Sequence, residues 1–170
     1  MGRISSQFAL PHRSRLSAIA SAVGCVVAIF VLTGLSQLLA GVVPNEWYEH
    51  LPKPSFTPPG WLFGPVWTLL YVMMAIAAWW VAYSRPWRQV RMALSLFALQ
   101  LALNLAWTPL FFGLHNPSAA LFCLAALWIS LAATTARFLG LSRFAGVMLV
   151  PCLAWCSFAL VLNAAFVYRM

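Results

Sequence analysis

Long apolar runs that contain no acidic or basic side chain recur along this chain, and they constrain its fold more than any other feature. About 20 consecutive apolar residues are enough for a helix to cross the hydrocarbon core of a bilayer. Of the 170 residues, 64% are hydrophobic and only 7% are charged, which is too little charge for the surface of a soluble domain. The sequence therefore predicts an all-α fold and a polytopic membrane protein.

Five of these runs can be separated at basic, proline or glycine breaks. The connections after the second, third and fourth runs are short, so consecutive helices must be antiparallel neighbours in one compact bundle. A basic tail is expected at residues 1–15 and a single five-helix transmembrane domain at residues 16–170. The five predicted spans cover about residues 16–43, 61–83, 90–113, 117–138 and 144–168.

The basic residues are unevenly distributed between the two sides of the predicted bundle. The net charge of +8 does not imply a nucleic-acid partner, because these residues lie in the tail and at helix ends. Eight lie on the side of the amino terminus and two on the opposite side. Since the cytoplasmic side carries the excess of Lys and Arg, we expect a cytoplasmic amino terminus and an external first loop, in a bacterial cell membrane. The eight are Arg3, Arg13, Arg15, Arg85, Arg88, Arg91, Arg137 and Arg143, and the two are Lys53 and Arg169.

The predicted spans lack the side chains that ion coupling, haem ligation or hydrolysis require. Ion-coupled transporters keep ionisable groups at depth, and no Asp, Glu, Lys or Arg lies well inside a span. His12, His50 and His115 lie in loops or at helix ends. No hydrolase motif occurs, and the four cysteines show neither metal-ligand nor disulfide-framework spacing. We therefore expect no metal site and no obligatory cofactor, and binding rather than turnover.

The connection between the first two spans is the stretch that membrane insertion does not explain. It holds both acidic residues, Glu46 and Glu49, together with the only lysine and one of the three histidines. It has about 17 residues, and its prolines restrict the backbone. A loop preformed in this way closes over a cavity with little loss of entropy on binding, so we expect it to act as a lid. The prolines are Pro44, Pro52, Pro54, Pro58 and Pro59.

Neutral polar and aromatic residues inside the spans recur at helical spacing. In the third span they follow i, i+4, i+7, i+8 and i+11 and so share one helix face. Two interpretations remain open for the amides: hydrogen bonds between helices and the lining of a pocket, which do not exclude each other. The residues are Gln100, Asn104, Trp107, Thr108 and Phe111 in the third span, Trp67, Tyr71 and Met74 in the second, and Trp155, Ala159, Leu162 and the flanking Asn163 in the fifth.

Three runs resemble signatures of the TspO/MBR family, the tryptophan-rich sensory proteins that include the mitochondrial translocator protein or peripheral benzodiazepine receptor. They are WYEHLPKPSFTPPGWLFGPVWTLLY from Trp47, ALQLALNLAWTPLFFG from Ala98 and PCLAWCSFALVLN from Pro151. The resemblance implies a five-helix bundle, often a homodimer, whose ligand cavity is covered by the first loop. It also implies ligands such as the tetrapyrroles protoporphyrin IX and haem.

The resemblance assigns roles to individual residues. Trp67 and Trp155 match two tryptophans linked to porphyrin chemistry, and they would be the redox-active residues of an enzyme. Ala159 matches a position whose side-chain size affects ligand binding. From their charge and their place near the mouth, Lys53 and His50 are the candidates for pairing with porphyrin propionates. The expected ligand-binding set is Trp47, His50, Lys53, Trp61, Trp67, Tyr71, Gln100, Asn104, Trp107, Phe111, Trp155 and Ala159.

Two departures from the family pattern bear on ligand choice. Ser55 and Phe56 stand where relatives often carry larger aromatic residues, which puts a site that depends on those indoles in doubt. Ala164 stands where the mammalian cholesterol pattern needs a tyrosine, so cholesterol is not expected. The predicted function is a membrane receptor or sensor for tetrapyrroles that regulates porphyrin or stress responses. The alternatives are a light-dependent porphyrin-degrading enzyme and a tetrapyrrole or sterol transporter.

Overall fold

The computed structural model describes residues 15–41 and 46–169. This part of the chain consists of helices and short connections, without strands. Five helices are long and apolar enough to cross a membrane, which confirms the predicted all-α architecture. The helices are α1 (Arg15–Ala40), α2 (Glu46–Glu49), α3 (Gly60–Ser84), α4 (Trp87–Thr108), α5 (Pro117–Leu141) and α6 (Arg143–Arg169).

α4 and α6 run a few residues beyond the predicted spans, because arginines at their ends extend out of the apolar region on long side chains. α4 begins at Trp87 and includes Arg88 in its first turn. The one-turn helix α2 in the first loop was not predicted, since four residues show no periodicity. The predicted end of the first span at residue 43, the loop proline Pro44 and most of the predicted basic tail lie outside the described residues.

The five long helices pack as a closed bundle in which most contacts join consecutive helices, and two, α3 with α6 and α4 with α1, join helices that are not consecutive. α1 packs on α3, α3 on α6, α6 on α5, α5 on α4, and α4 returns to α1. α1 is the most peripheral helix. Its outer face exposes Val23, Val27, Val31 and Leu35, which suits contact with acyl chains.

Residues Pro109–Gly113 continue α4 as a single π-helical turn. Proline has no N–H, so the carbonyl of Leu105, four residues earlier, loses its regular helical donor. Ser36 of α1 supplies a replacement, because its Oγ donates to the Leu105 oxygen at 2.5 Å. The turn closes through a wider bond from the Leu114 N–H to the Pro109 carbonyl, 2.8 Å long. A proline in α4 thus ties this turn to α1.

The end of α1 approaches the same turn closely. A Cβ atom at Gly113 would lie 3.0 Å from the carbonyl oxygen of Leu39, so a side chain there would press on the α1 backbone. α1 ends at Ala40 and is followed by Gly41, whose φ of +77° is the left-handed conformation that glycine adopts without strain. The contact between α1 and the π-helical turn therefore depends on two glycines.

The two ends of the bundle carry different chemistry. At the loop end, the ring of Tyr48 lies 5.9 Å from the ring of Phe166 near the end of α6. At the opposite, basic end, Nη2 of Arg85 donates to the carbonyl of Leu141 at 3.0 Å, which ties the end of α3 to the turn between α5 and α6. The first loop and the arginines of the later connections thus lie at opposite ends of the bundle.

Candidate functional site

A cavity of about 460 Å³ lies between the helices, in the half of the bundle next to the first loop. Ligand pockets in proteins usually measure about 300–1,000 Å³, so this cavity has the size of a ligand site. Residues from α2, the π-helical turn and all five long helices line it. All of the long helices therefore meet around this cavity.

Paired aromatic rings form much of its lining. Trp67 stacks on Tyr71, with centroids 5.4 Å apart and planes 28° apart, because residues four apart lie on the same helix face. The same spacing stacks Trp107 on Phe111, at 5.3 Å and 24°. On α6, Trp155 meets Phe63 of α3 edge to face at 5.9 Å. All of these residues line the cavity, which therefore offers several flat apolar surfaces.

Buried amides connect the helices behind these rings. The Tyr71 hydroxyl donates to Oδ1 of Asn104 at 2.6 Å, which joins α3 to α4. The Trp107 indole N–H donates to Oδ1 of Asn163 at 3.1 Å, and the Asn163 amide donates to the Pro117 carbonyl at 2.9 Å. Asn104 and Asn163 also belong to the cavity lining. Both interpretations of these amides hold at once: they bond neighbouring helices and line the pocket.

Two indoles of the lining remain available to a ligand. Within the described part of the chain, the N–H groups of Trp67 and Trp155 donate no hydrogen bond, whereas those of Trp107 and Trp128 do. An indole N–H inside an apolar site gains from a partner. Trp67 and Trp155 thus provide aromatic area together with unused donors.

The first loop reaches the cavity through α2. Tyr48 is buried and belongs to the lining. Its neighbour Trp47 stacks on His115, with centroids 4.6 Å apart, and meets Phe111 edge to face at 5.6 Å. Burial, and secondly the adjacent Glu49 carboxylate, raises the pKa of the Tyr48 phenol above its ordinary range. The loop is thus packed over one end of the cavity.

α1 contributes a wall that sequence reasoning missed. The cavity is lined by Phe30, Thr33, Gly34 and Gln37 of this helix, and also by Gly64 of α3. A Cβ atom at Gly34 or Gly64 would meet nothing within 4 Å, so these glycines leave open space beside the rings. The available signal was the run of small and polar residues in the second half of an otherwise apolar span.

Seven of the expected ligand-binding residues line the cavity and five lie outside its lining. The seven are Trp67, Tyr71, Asn104, Trp107, Phe111, Trp155 and Ala159. Of the five, Trp47 contacts Phe111, and Trp61 is 73% exposed at the start of α3.

The other three expected residues are held by local contacts. Gln100 is fully buried, with Nε2 3.7 Å from Sδ of Met74. Lys53 forms a salt bridge with Glu49 at 2.7 Å, and Nδ1 of His50 lies 2.7 Å from the Glu46 carbonyl oxygen.

Comparison with known proteins matches the sequence of this chain to one family. The sequence pattern of the TspO/MBR family covers residues 22–169. This range contains the whole cavity lining and every described helix, apart from the first residues of α1. The chain belongs to the TspO/MBR family.

Relatives within the family, from bacteria to mammals, are similar to most of this chain. The chain is 45% identical to the tryptophan-rich protein TspO of Chlorobaculum tepidum over 123 residues, which are 71% of this chain and 77% of the relative. It is 43% identical to the tryptophan-rich sensory protein of Cereibacter sphaeroides over 120 residues, 71% of this chain and 74% of the relative. It is 40% identical to the human translocator protein over 120 residues, 69% of this chain and 71% of the relative.

Proposed function

We propose that this protein is a membrane receptor that binds a tetrapyrrole, of the protoporphyrin IX or haem type, in the aromatic cavity. The observation that carries the proposal is the set of stacked and edge-to-face rings from α3, α4 and α6 around a single 460 Å³ space. A flat macrocycle makes its largest contact with surfaces of this kind. Each aromatic contact adds about 0.5–1.5 kcal/mol beyond the burial of area.

The charged edge of the ligand would lie at the loop end. Nζ of Lys53 is 4.9 Å from the centroid of the Tyr48 ring, and Tyr48 lines the cavity. The salt bridge between Lys53 and Glu49 is solvent-exposed and therefore weak. A propionate can then replace the Glu49 carboxylate as the partner of Lys53, with His50 of the same loop as a second donor.

The orientation that we propose places this mouth outside the cell. The excess of basic residues at the opposite end makes that end cytoplasmic, in a bacterial cell membrane. We also propose a homodimer. In the proposed orientation, a ligand reaches the cavity from the external side or from the surrounding lipid. The change caused by ligand binding then passes through the helices to the cytoplasmic end.

The test is a titration of purified protein with protoporphyrin IX in darkness, followed by quenching of tryptophan fluorescence. We expect saturable quenching, with affinity reduced about two- to tenfold in Trp67→Phe and in Trp155→Phe, because each loses part of its aromatic contact area and an N–H donor. Trp87→Phe is the matched control, since Trp87 is 67% exposed and lies at the basic end. Quenching that never saturates, or that weakens equally in all three variants, would contradict the proposal.

The same titration under light separates a receptor from an enzyme. Under illumination, the spectrum of the bound porphyrin should change no more than that of free porphyrin, and no additional products should form. Loss of porphyrin that requires Trp67 and Trp155 would replace the receptor with a degrading enzyme.

A second ligand isolates the propionate contact. The dimethyl ester of protoporphyrin IX keeps the ring and loses both carboxylates. We expect Lys53→Gln to weaken binding of the free acid and to leave binding of the ester unchanged. Equal effects on both would remove Lys53 from the site.

A further inference from the structure

A second, shallower groove lies on the outer surface of the bundle at the basic end, between α3 and α6. Its volume is about 450 Å³. Five apolar residues and one arginine line it: Met73, Phe144, Val147, Met148, Pro151 and Arg143. Phe144 is 49% exposed and Val147 is 58% exposed, so the groove opens toward the surroundings of the bundle, away from the aromatic cavity.

The length of the groove along α6 is close to the hydrocarbon thickness of one bilayer leaflet. From Arg143 to Pro151, α6 rises about 12 Å at 1.5 Å per residue. Half of the hydrocarbon core of a bilayer measures about 15 Å. Near the arginine, Trp80 meets Phe144 edge to face at 5.2 Å, and aromatic residues of this kind mark the interface between headgroups and acyl chains. The charged end of the groove therefore lies at headgroup level.

Positive charge at this end is uncompensated. The chain's only two acidic residues, Glu46 and Glu49, lie in α2 at the loop end. Arg85 is held beside the groove, because its bond to the Leu141 carbonyl places its guanidinium next to the turn that leads into Arg143. That bond uses one of five guanidinium N–H donors, and both arginines are exposed.

We propose that this groove is a binding site for one anionic phospholipid, with an acyl chain along Val147 and Met148 and the phosphate between Arg143 and Arg85. The apolar length fits a chain, and guanidinium groups bind phosphate through paired N–H donors. A neutral phospholipid carries the same chains and a compensated headgroup. The site therefore prefers a lipid of net negative charge such as phosphatidylglycerol.

The test is native mass spectrometry of the detergent-solubilised protein with phosphatidylglycerol or phosphatidylcholine of identical chains. We expect one tightly retained phosphatidylglycerol per chain and a preference over phosphatidylcholine that falls about fivefold in Arg143→Gln. Arg91→Gln is the matched control, because Arg91 is an exposed arginine of α4, a helix that contributes nothing to the groove. An equal loss in both variants would mean general attraction to charge and would overturn the site.

A second variant tests the apolar part. Val147→Trp fills the groove and should reduce retention of both lipids while the protein stays folded, as judged by its thermal unfolding midpoint. Retention of lipid unchanged in Val147→Trp, or displacement by glycerol 3-phosphate alone, would show that the acyl chain takes no part. A change of oligomeric mass in Val147→Trp, with lipid retention unaltered, would assign the groove to a second copy of the chain and overturn the lipid proposal.

Discussion

The indole N–H of Trp107 and the side-chain amide of Asn163 form a relay that ends on the Pro117 carbonyl, at 3.1 Å and 2.9 Å. The relay joins α4, α6 and the first turn of α5 directly behind the cavity. Both side chains also line that cavity. The groups that face a ligand are therefore fixed by bonds that hold the bundle together.

Breaking the relay at its centre should cost more than breaking it at one end. Asn163→Leu removes both bonds of the relay and leaves the Trp107 N–H without its partner, whereas Trp107→Phe removes only the first bond. We expect Asn163→Leu to lower the unfolding free energy by about 1–2 kcal/mol and Trp107→Phe to lower it by less. In the double mutant, the loss should differ from the sum of the two single losses by about 0.6 kcal/mol or more. Denaturant unfolding in mixed micelles measures all three. Strictly additive losses would show that the bond between Trp107 and Asn163 contributes no stability.

The bond from Ser36 to the Leu105 carbonyl should matter only while position 109 is proline. We expect Ser36→Ala to lower the unfolding free energy by about 1 kcal/mol. In a Pro109→Ala background the regular helical donor is restored, so the same change should cost clearly less. Thermal unfolding of the parent, the two single mutants and the double mutant measures both losses. An equal loss in both backgrounds would mean that Ser36 acts independently of the proline.

Gly146, in the first turn of α6, should tolerate no side chain. A Cβ atom there would lie 2.6 Å from the backbone nitrogen of Leu139 and also against the Leu139 side chain. Gly146→Ala should therefore lower the unfolding free energy by about 1–3 kcal/mol. Gly140→Ala is the control, because a Cβ atom at Gly140 meets nothing within 4 Å. Equal melting temperatures for the two variants would contradict the packing described.

Filling the space at Gly34 should block the ligand without damaging the fold. Gly34→Leu places a side chain in the cavity, where a Cβ atom meets no neighbour. We expect porphyrin affinity to fall about tenfold or more. Gly24→Leu is the matched variant on the same helix, equally unobstructed and outside the lining. If both variants bind as the parent does, the cavity is not the ligand site.

Closure of the first loop should weaken in alkaline solution. Because burial raises the pKa of Tyr48 above about 10, the neutral phenol is favoured in the closed loop. The stability it contributes is complete below about pH 10 and is lost as the pH rises through the higher pKa of the folded state. Binding of the dimethyl ester of protoporphyrin IX, which lacks the propionate contact with Lys53, should then decline above about pH 10 in the parent and remain level in Tyr48→Phe. A decline of equal size in the variant would assign the pH dependence to another group.

The fold could be predicted because hydropathy and helix length determine it almost alone. All five spans appear where the apolar runs lie. The exceptions are elements that hydropathy does not mark. α2 is too short to show a period, and the π-helical turn depends on the local effect of Pro109 on one carbonyl.

The site could be predicted only in part, because a helix face does not reveal where along its length a cavity ends. Asn104, Trp107 and Phe111 share their predicted face with Gln100, and only Gln100 is excluded from the lining. It lies one turn closer to the basic end, against the sulfur of Met74, where the helices close together. The wall from α1 was missed for another reason. Part of its contribution is the absence of a side chain at Gly34, which no pattern of apolar residues indicates.

The π-helical turn makes the number of residues in α4 as important as their identity. Each residue of a regular helix advances by about 100° around the axis. Deleting one residue between Pro109 and Gly113 would let the helix run on regularly, and would rotate everything after the deletion by that angle relative to Trp107. Phe111 and Phe112, which both line the cavity, would no longer do so together. A shortened chain would keep its five spans and its hydropathy and lose the shape of its binding site.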